Sequence, residues 1–261
     1  MARWVNQYGT VSPDQVVFTL QADNYGPIYQ VHGKSMGATW AHCVLGPDIS
    51  APGGVQVNNQ PSIGGEGWDT PWMGAAYPGH TFTEDIVSWK RAHLINGEWG
   101  GPGSQWDNLT ILTAQANRWH TGIENHIRYF LQACRNFDLT NPMPAFWVGV
   151  EYQVIRSADS FAIPPANPND LYTYVPSHIL VRWRAVTLPK IPGAIHIVIN
   201  HAVTNRAALA VLPPGFGYFP PYNVPGALAP HQNTGNYIAG APALHVPNAN
   251  TFDQDVEIHN V

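Results

Sequence analysis

The chain has 261 residues, of which 44% are hydrophobic, so it is long enough for a sizeable core and is not disordered by composition. Charged residues make up 11% and the formal net charge is −5, which is a point against nucleic-acid binding, because proteins that bind nucleic acids usually carry a basic face. The 24 glycines and 24 prolines indicate many turns and long loops and exclude a helical bundle.

The amino-terminal third is predicted to contain short strands followed by a long loop. Residues 16–22 and 28–33 are rich in β-forming residues, and a turn at 24–27 separates them. Residues 46–80 are rich in glycine, proline, serine and asparagine, which is typical of loops.

The middle of the chain is predicted to form a strand, a turn, a second strand and a helix. Residues 84–95 favour a strand, and the Gly-Gly-Pro-Gly run at 100–103 forbids regular structure after it. Residues 109–112 favour a second, short strand. Thr113 is a suitable N-cap for a helix over 114–135, whose apolar residues follow a helical spacing.

Three further strands are predicted after this unit, at 146–156, 172–186 and 194–200, because these segments are rich in β-branched and aromatic residues. Residues 205–261 are rich in proline and poor in charge, which indicates an extension that wraps the domain, with a flexible tail as the alternative. We therefore expect an α+β fold in which the strand–turn–strand–helix unit at 84–135 packs on a mostly antiparallel β-sheet with long Pro/Gly-rich loops. Residues 1–204 would form one catalytic domain.

The sequence also bears on location and on the thiols. The first nine residues contain no apolar core of a Sec signal, and no run approaches the ~18 apolar residues of a membrane span. The protein would then be either cytoplasmic, or secreted or injected by a specialised apparatus. Cys43 and Cys134 leave open one disulfide bond or two free thiols.

Chemistry-bearing residues concentrate in the strand–turn–strand–helix unit. His93 lies near the end of the first strand, and an imidazole can take a proton from water near neutral pH. Asn117 and Glu124 are seven residues apart, so they share one face of the predicted helix. A hard cation needs few protein oxygens when a substrate phosphate and water supply the rest. The pattern therefore indicates metal-assisted cleavage of a phosphodiester bond.

The segment AHLINGEWGGPGSQWDNLTILTAQAN, residues 92–117, resembles the ββα-metal (His-Me finger) DNA/RNA non-specific endonucleases. It is most similar to their toxin-like branch, whose pattern is close to RGHLLN, GGPG and NLxPLTxxAN. The resemblance covers 84–135 well and 146–186 loosely. Lys90 stands where the family usually has Asp, Ala92 where it has Gly, and Ile111 where many members have Pro.

The resemblance implies a role for each matching residue. His93 would be the general base, and Asn117 the direct metal ligand. Glu124 would hold metal-bound water, and Asn108 would brace the turn and the second strand. Arg91 matches the arginine of the family's DRGH motif, and it is taken with His93, Asn108 and Glu124 as catalytic.

Nucleic-acid contacts are expected from the basic residues around this unit. Residues 90–135 contain five lysines and arginines against three acidic residues, so the acidity of the chain lies elsewhere. Candidates for phosphate contacts are Lys90, Arg118, His120 and Arg128. The alternatives are that the arginines serve solubility, that His120 is a surface histidine, and that Glu124 faces solvent or pairs with Arg128.

These observations favour a metal-dependent non-specific endonuclease that hydrolyses DNA, with RNA as a further candidate substrate and Mg²⁺ as the first candidate metal. The toxin-like resemblance implies an effector delivered into another cell and a cognate immunity protein. The alternative is a non-catalytic β-rich binding module for carbohydrate or protein, which the low charge and the ten tryptophans also suit.

Overall fold

The computed structural model describes a part of the chain that includes the whole predicted strand–strand–helix unit except its first residues and the tip of its turn. The described residues are 3–5, 16–17, 25–31, 34–47, 89–99, 101, 106–141, 145–159, 161, 175–189, 207–225, 229–230, 241 and 254–260.

Within these ranges the chain forms strands and a long helix, α1 (Ala114–Thr140). The strands, in chain order, are β1 (Arg3–Val5), β2 (Val16–Val17), β3 (Ile28–Val31), β4 (Lys34–Ala38), β5 (Trp40–Leu45), β6 (Trp89–His93), β7 (Leu109–Thr113), β8 (Phe146–Arg156), β9 (His178–Pro189), β10 (Ala207–Ala208), β11 (Ala229–Pro230) and β12 (Gln254–His259). Short 3₁₀ turns occupy Gly97–Trp99 and Trp106–Asn108. This mixture of a helix with antiparallel strands confirms the α+β class.

The centre of the described structure is an antiparallel sheet in the order β11–β12–β9–β8–β5, with β10 also paired to β9. The predicted strand at 146–156 is confirmed with the same bounds, and most of its residues are aromatic or β-branched, the types that favour strands. Tyr152 of β8 lies opposite Trp183 of β9 and Cys43 of β5, and all three side chains are buried. These residues form the middle of the core.

The helix α1 covers the sheet and packs against β8, with further contacts to β6, β7 and β12. Its start is as predicted, since the side chain of Thr113 accepts a hydrogen bond from the Ala116 N–H. The helix runs to Thr140, five residues beyond the predicted end at Arg135. The buried side chain of Phe137 lies in this added turn, so the apolar stripe of the helix continues further than its sequence pattern suggested.

The strands β6 and β7 form a separate antiparallel ribbon in which His93 lies opposite Leu109. The first of these strands was predicted to reach Ile95 but ends at His93, because the side chain of Asn108 binds both backbone groups of Ile95 and turns the chain there. Residues 84–88 of that prediction lie outside the described residues.

The carboxyl-terminal quarter contributes an internal strand of the sheet, β12, which pairs with β9 on one side and β11 on the other. Residues 213–225 contain no helix or strand, as their prolines predict. Phe216 and Phe219 from this segment pack on Phe130 of α1, at ring distances of 5.5 and 5.1 Å. This segment therefore closes one side of the helix.

Several other predictions meet the structure only in part. The segment 28–33 contains β3, and the strand expected at 172–186 is β9 (His178–Pro189), which begins and ends later. Cys43 and Cys134 are both buried free thiols, which decides that alternative. The predicted strand at 194–200 and the loop over 48–80 lie outside the described residues. The described helix is not both long and apolar enough to cross a membrane.

Candidate active site

The turn between β6 and β7 is held by the carboxamide of Asn108, which is completely buried. Its Oδ1 accepts a hydrogen bond from the Ile95 N–H at 2.8 Å, and its Nδ2 donates one to the Ile95 carbonyl at 2.8 Å. The Leu94 N–H also donates to the Asn108 carbonyl at 2.8 Å. One side chain thus fixes the chain immediately after His93 against the start of β7.

A second asparagine, Asn96, organises the rest of this turn. Its carbonyl accepts hydrogen bonds from the N–H groups of Trp99 at 2.9 Å and Gly101 at 3.1 Å, and its Oδ1 accepts one from the Glu98 N–H at 2.9 Å. A Cβ atom at Gly101 would lie 1.8 Å from the Ile95 carbonyl oxygen, so only glycine fits. The sequence reasoning missed Asn96, although the Asn-Gly pair at 96–97 is a common turn signal.

His93 lies at the carboxyl end of β6 with its side chain partly buried. Burial lowers the pKa of its imidazole below the usual 6.5, so the ring is neutral at pH 7. Its Nε2 is buried and has no hydrogen-bond partner among the described residues. A neutral imidazole can accept a proton at its unprotonated ring nitrogen, which is the property a general base needs.

His120 lies on α1, three residues after Asn117. The structure differs here from the expected surface histidine, because His120 is only 2% exposed. Burial is the larger cause of the pKa of about 4, and His93 is the second. The reason for its burial is Tyr152 of β8, whose hydroxyl shares a 2.5 Å hydrogen bond with His120 Nε2.

Tyr152 is itself fully buried and was not foreseen from the sequence. The edge of its ring meets Trp99 from the turn at a ring distance of 5.4 Å. Burial raises the pKa of its hydroxyl, and the nearby carboxylate of Glu124 raises it further. Tyr152 therefore stays protonated at neutral pH. It lies beneath the site, in contact with the turn and the helix.

Glu124 is a buried carboxyl group on the same face of the helix as Asn117. Its Oε2 accepts a hydrogen bond from the Asn96 Nδ2 at 2.9 Å. Burial raises the pKa of Glu124 from 4.5 to about 7, while the Asn96 hydrogen bond and the charge of Arg128 lower it in part. The carboxyl group is therefore half ionised near neutral pH. A bound cation would favour its ionised form.

Arg128 directs its guanidinium to Glu98, with which it forms an ion pair at the margin of the site. Both side chains are about one-third exposed, at 30% and 37%. The expected alternative that Glu124 pairs with Arg128 holds only through space, since the hydrogen bond of Arg128 goes to Glu98. Contact of Arg128 with a phosphate would require this pair to open.

The remaining candidates lie around this group. Asn117 is partly exposed in the first turns of the helix, and its backbone carbonyl accepts a hydrogen bond from the Thr121 hydroxyl at 3.0 Å. Arg118 is exposed beside it, and Lys90 is partly buried on β6. Arg91 lies on β6 opposite Ile111 of β7. The structure thus places Glu124 against the turn that follows His93, through its hydrogen bond with Asn96, and leaves Arg118 at the surface.

The donor groups of the site suit a hard divalent cation better than a soft one. No three of the His, Cys, Asp and Glu side chains in the described ranges are arranged to hold a metal ion. The oxygen donors on the α1 face are the carboxamide of Asn117 and the carboxylate of Glu124. The two residues lie about 10 Å apart along the helix axis, so Asn117 would be the direct ligand and Glu124 would hold metal-bound water. This arrangement fits a cation such as Mg²⁺, which keeps several of its waters and takes further oxygens from phosphate. Glu124 is desolvated, so its ionised form would gain from a cation beside it.

Comparisons with known proteins give a distant structural likeness. No protein-family model and no curated protein sequence matches the chain. Among solved structures, the Sda1 nuclease with a bound zinc ion shares 14% sequence identity with the chain at a TM-score of 0.33, over 60% of this chain and 68% of that protein. A likeness at this level carries no argument about activity, so the residues of the site must carry it.

Proposed function

We propose that the chain is a metal-dependent endonuclease that hydrolyses phosphodiester bonds of DNA, and of RNA as a second substrate, with little sequence preference. The observation that carries the proposal is the 2.9 Å hydrogen bond that Asn96, in the turn after His93, donates to Glu124, because it joins the strand that ends at His93 to the α1 face of Asn117 and Glu124. His120 lies between Asn117 and Glu124 on the helix, and the charge of His93 contributes to the lowering of its pKa.

In the proposed reaction His93 on β6 acts as the base, and the residues on α1 bind the cation. His93 is neutral at pH 7, so its imidazole can accept the proton of the water that attacks phosphorus. Asn117 would hold the cation through its carboxamide oxygen, and the carboxylate of Glu124 would hold metal-bound water. When bound, the cation supplies positive charge that stabilises the phosphate and the leaving 3′ oxygen. Asn96 holds Glu124 through its 2.9 Å hydrogen bond and thereby orients the carboxylate.

The protein would contact nucleic acid mainly at its backbone phosphates, through basic side chains. Arg118 is exposed next to Asn117, and Lys90 and Arg91 lie on the neighbouring strand β6. Phosphate contacts carry no sequence information, which accounts for the proposed lack of sequence preference. They also make the rate of cleavage fall as the salt concentration rises.

The biological setting proposed for the chain is that of an effector, and it rests on the resemblance of residues 92–117 to toxin-like nucleases. Such a protein would be secreted or injected by a specialised apparatus, and a cognate immunity protein would protect the producing cell. Expression of the chain in the cytoplasm of a host cell offers a simple test, because the wild-type chain would arrest growth and His93→Ala would not.

The test of the proposed activity is cleavage of supercoiled plasmid DNA by the purified chain. We expect nicked and linear products with Mg²⁺ and none with EDTA, and we expect His93→Ala to lose at least ~100-fold in rate, the scale of a lost general base. His126→Gln is the matched control. His126 is also a partly buried histidine whose pKa burial lowers to about 4, but it lies nine residues after Asn117, on the opposite side of the helix.

Two results would reject the proposal. If the folded wild-type protein cleaves neither plasmid nor RNA with Mg²⁺, Mn²⁺ or Ca²⁺, the proposed nuclease activity is excluded. Equal activity of His93→Ala and the wild type would remove His93 from the reaction. Loss of activity in His126→Gln as well would show that the assay reports folding rather than chemistry.

A further inference from the structure

A single side chain from the carboxyl-terminal segment connects the strand ribbon that carries His93 to the central sheet. The carboxamide of Asn260 is buried, and its Oδ1 accepts a hydrogen bond from the Thr113 N–H at 2.7 Å. Its Nδ2 donates to the carbonyls of Ile111 at 3.3 Å and Pro176 at 2.8 Å. Its backbone N–H donates to the Ser177 carbonyl at 2.9 Å.

The two groups of β7 that Asn260 binds are those that a further strand would use. The carbonyl of Ile111 and the N–H of Thr113 are two residues apart, so they point to the same edge of β7, away from β6. In a parallel pair, one residue of the neighbouring strand accepts from one such group and donates to the other. The Asn260 carboxamide does the same with its own oxygen and nitrogen, and so takes the place of a strand residue.

The position of this contact matters because the β7–α1 junction sets the geometry of the site. Thr113 ends β7 and caps α1, and Asn117 follows one turn later. On the other side of Thr113, β7 holds β6 in register and thereby holds His93. A shift of the junction would therefore move the two halves of the site relative to each other.

We propose that Asn260 is a positioning residue of the active site, which sets the distance between His93 and the cation-binding face of α1 by clamping the β7–α1 junction to the sheet. This inference rests on the proposed nuclease function. A misplacement of reacting groups by about 1 Å can cost ~100-fold in rate, so one buried carboxamide far from the scissile bond is able to control turnover.

A matched control lies at the opposite end of β12, the strand that Asn260 follows. Gln254 also makes a two-way carboxamide contact with a backbone, since its Oε1 accepts from the Tyr222 N–H at 2.7 Å and its Nε2 donates to the Tyr222 carbonyl at 3.0 Å. Tyr222 packs on His126, on the side of the helix away from Asn117. Gln254→Ala therefore removes a similar contact from β12 and leaves the junction intact.

The experiment compares the wild type, Asn260→Ala, Asn260→Asp and Gln254→Ala in three measurements at a temperature well below the unfolding midpoint of every variant. These are kcat and KM on plasmid DNA per folded molecule, the affinity for Mn²⁺ by electron paramagnetic resonance, and amide hydrogen exchange at Thr113. For Asn260→Ala we expect kcat to fall about 10- to 100-fold and Mn²⁺ affinity to weaken on the scale of lost supporting contacts, with KM nearly unchanged. Exchange at Thr113 should become faster.

Asn260→Asp keeps the acceptor for the Thr113 N–H and loses the donor, so it should fall between the wild type and Asn260→Ala. It serves also as the variant to measure should Asn260→Ala not fold. Gln254→Ala should lose stability but keep kcat and Mn²⁺ affinity. The inference is overturned if folded Asn260 variants keep wild-type kcat and Mn²⁺ affinity, or if Gln254→Ala loses both to the same extent. Absence of cleavage and of Mn²⁺ binding in the wild type would instead reject the proposed function.

Discussion

Replacing Glu124 by glutamine should make the metal-free protein more stable while it removes the activity. The carboxyl group is buried, and burial is the main reason why its pKa rises from 4.5 to about 7. Ionising a desolvated carboxyl group costs free energy that a neutral amide of the same shape does not cost. The amide oxygen of glutamine can still accept the hydrogen bond that Asn96 donates.

The size and sign of the effect follow from the two pKa values. Below pH 4.5 Glu124 is protonated in both the folded and the unfolded chain, so the substitution should change stability little. Between pH 4.5 and about 7 the unfolded chain ionises first, and the wild type loses stability relative to Glu124→Gln. Above pH 7 the difference should level off at up to about 3 kcal/mol, since each tenfold change in acidity is worth about 1.4 kcal/mol.

The assay is urea unfolding of both proteins in EDTA between pH 4 and pH 9. We expect Glu124→Gln to become the more stable protein as the pH rises. Adding Mg²⁺ at pH 8 should raise the unfolding midpoint of the wild type and leave that of Glu124→Gln unchanged. Glu98→Gln is the control, because Glu98 is 37% exposed in its ion pair and should cost at most about 1 kcal/mol. If Glu124→Gln is not more stable than the wild type at pH 8 in EDTA, Glu124 is not a desolvated carboxyl group with a raised pKa.

Three further predictions concern the turn and the core beneath it. Asn108→Asp replaces a buried donor with an oxygen, so it should lower the free energy of unfolding in urea by about 1–3 kcal/mol. Asn117→Ala on the partly exposed helix face should change the free energy of unfolding by at most about 0.5 kcal/mol. Equal losses of stability in the two variants would contradict the assigned roles. In an NMR titration of the histidines, His120 should protonate with a midpoint near pH 4, and a midpoint near 6.5 would mean that the ring is solvated. Tyr152→Phe removes the hydroxyl that is hydrogen-bonded to His120 and should lower the free energy of unfolding by about 0.5–1.5 kcal/mol. Gly101→Ala should lose activity and stability together, because its Cβ atom would overlap a backbone oxygen at 1.8 Å, and an unaffected variant would contradict the tight turn.

The elements with strong local signals could be predicted from the sequence. Thr113 is the N-cap of α1 because a threonine preceding a helical apolar pattern satisfies the free N–H groups of the first turn. The strand at 146–156 follows from its run of aromatic and β-branched residues. In both cases the information lies within one segment, so no knowledge of distant contacts is needed.

The features that depended on distant contacts could not be predicted. His120 looked like a surface histidine, because its burial comes from Tyr152, 32 residues later in the chain. The helix continues past Arg135 to Thr140, where Phe137 packs against Phe216 at a ring distance of 5.3 Å. No local pattern indicates either partner.

The candidate site shows the same division. The spacing of Asn117 and Glu124 on one helix face was visible in the sequence, since a helix repeats every 3.6 residues. The group that holds Glu124 was not visible, because Asn96 lies 28 residues earlier in the turn after β6. The clamp on the β7–α1 junction comes from Asn260, whose partner Thr113 is 147 residues away.

The measurement that tests the account most directly is the Mg²⁺ dependence of plasmid cleavage by the wild type and by Asn117→Ala. In the proposed site Asn117 would be the carboxamide ligand, and because its side chain is partly exposed its loss should leave the fold intact. We predict cleavage that requires Mg²⁺, is abolished by EDTA, and in Asn117→Ala needs at least ~10-fold more Mg²⁺ or falls by that factor in rate. Cleavage by the wild type in EDTA, or an Asn117→Ala variant with an unchanged Mg²⁺ dependence, would contradict a cation site on this face of α1.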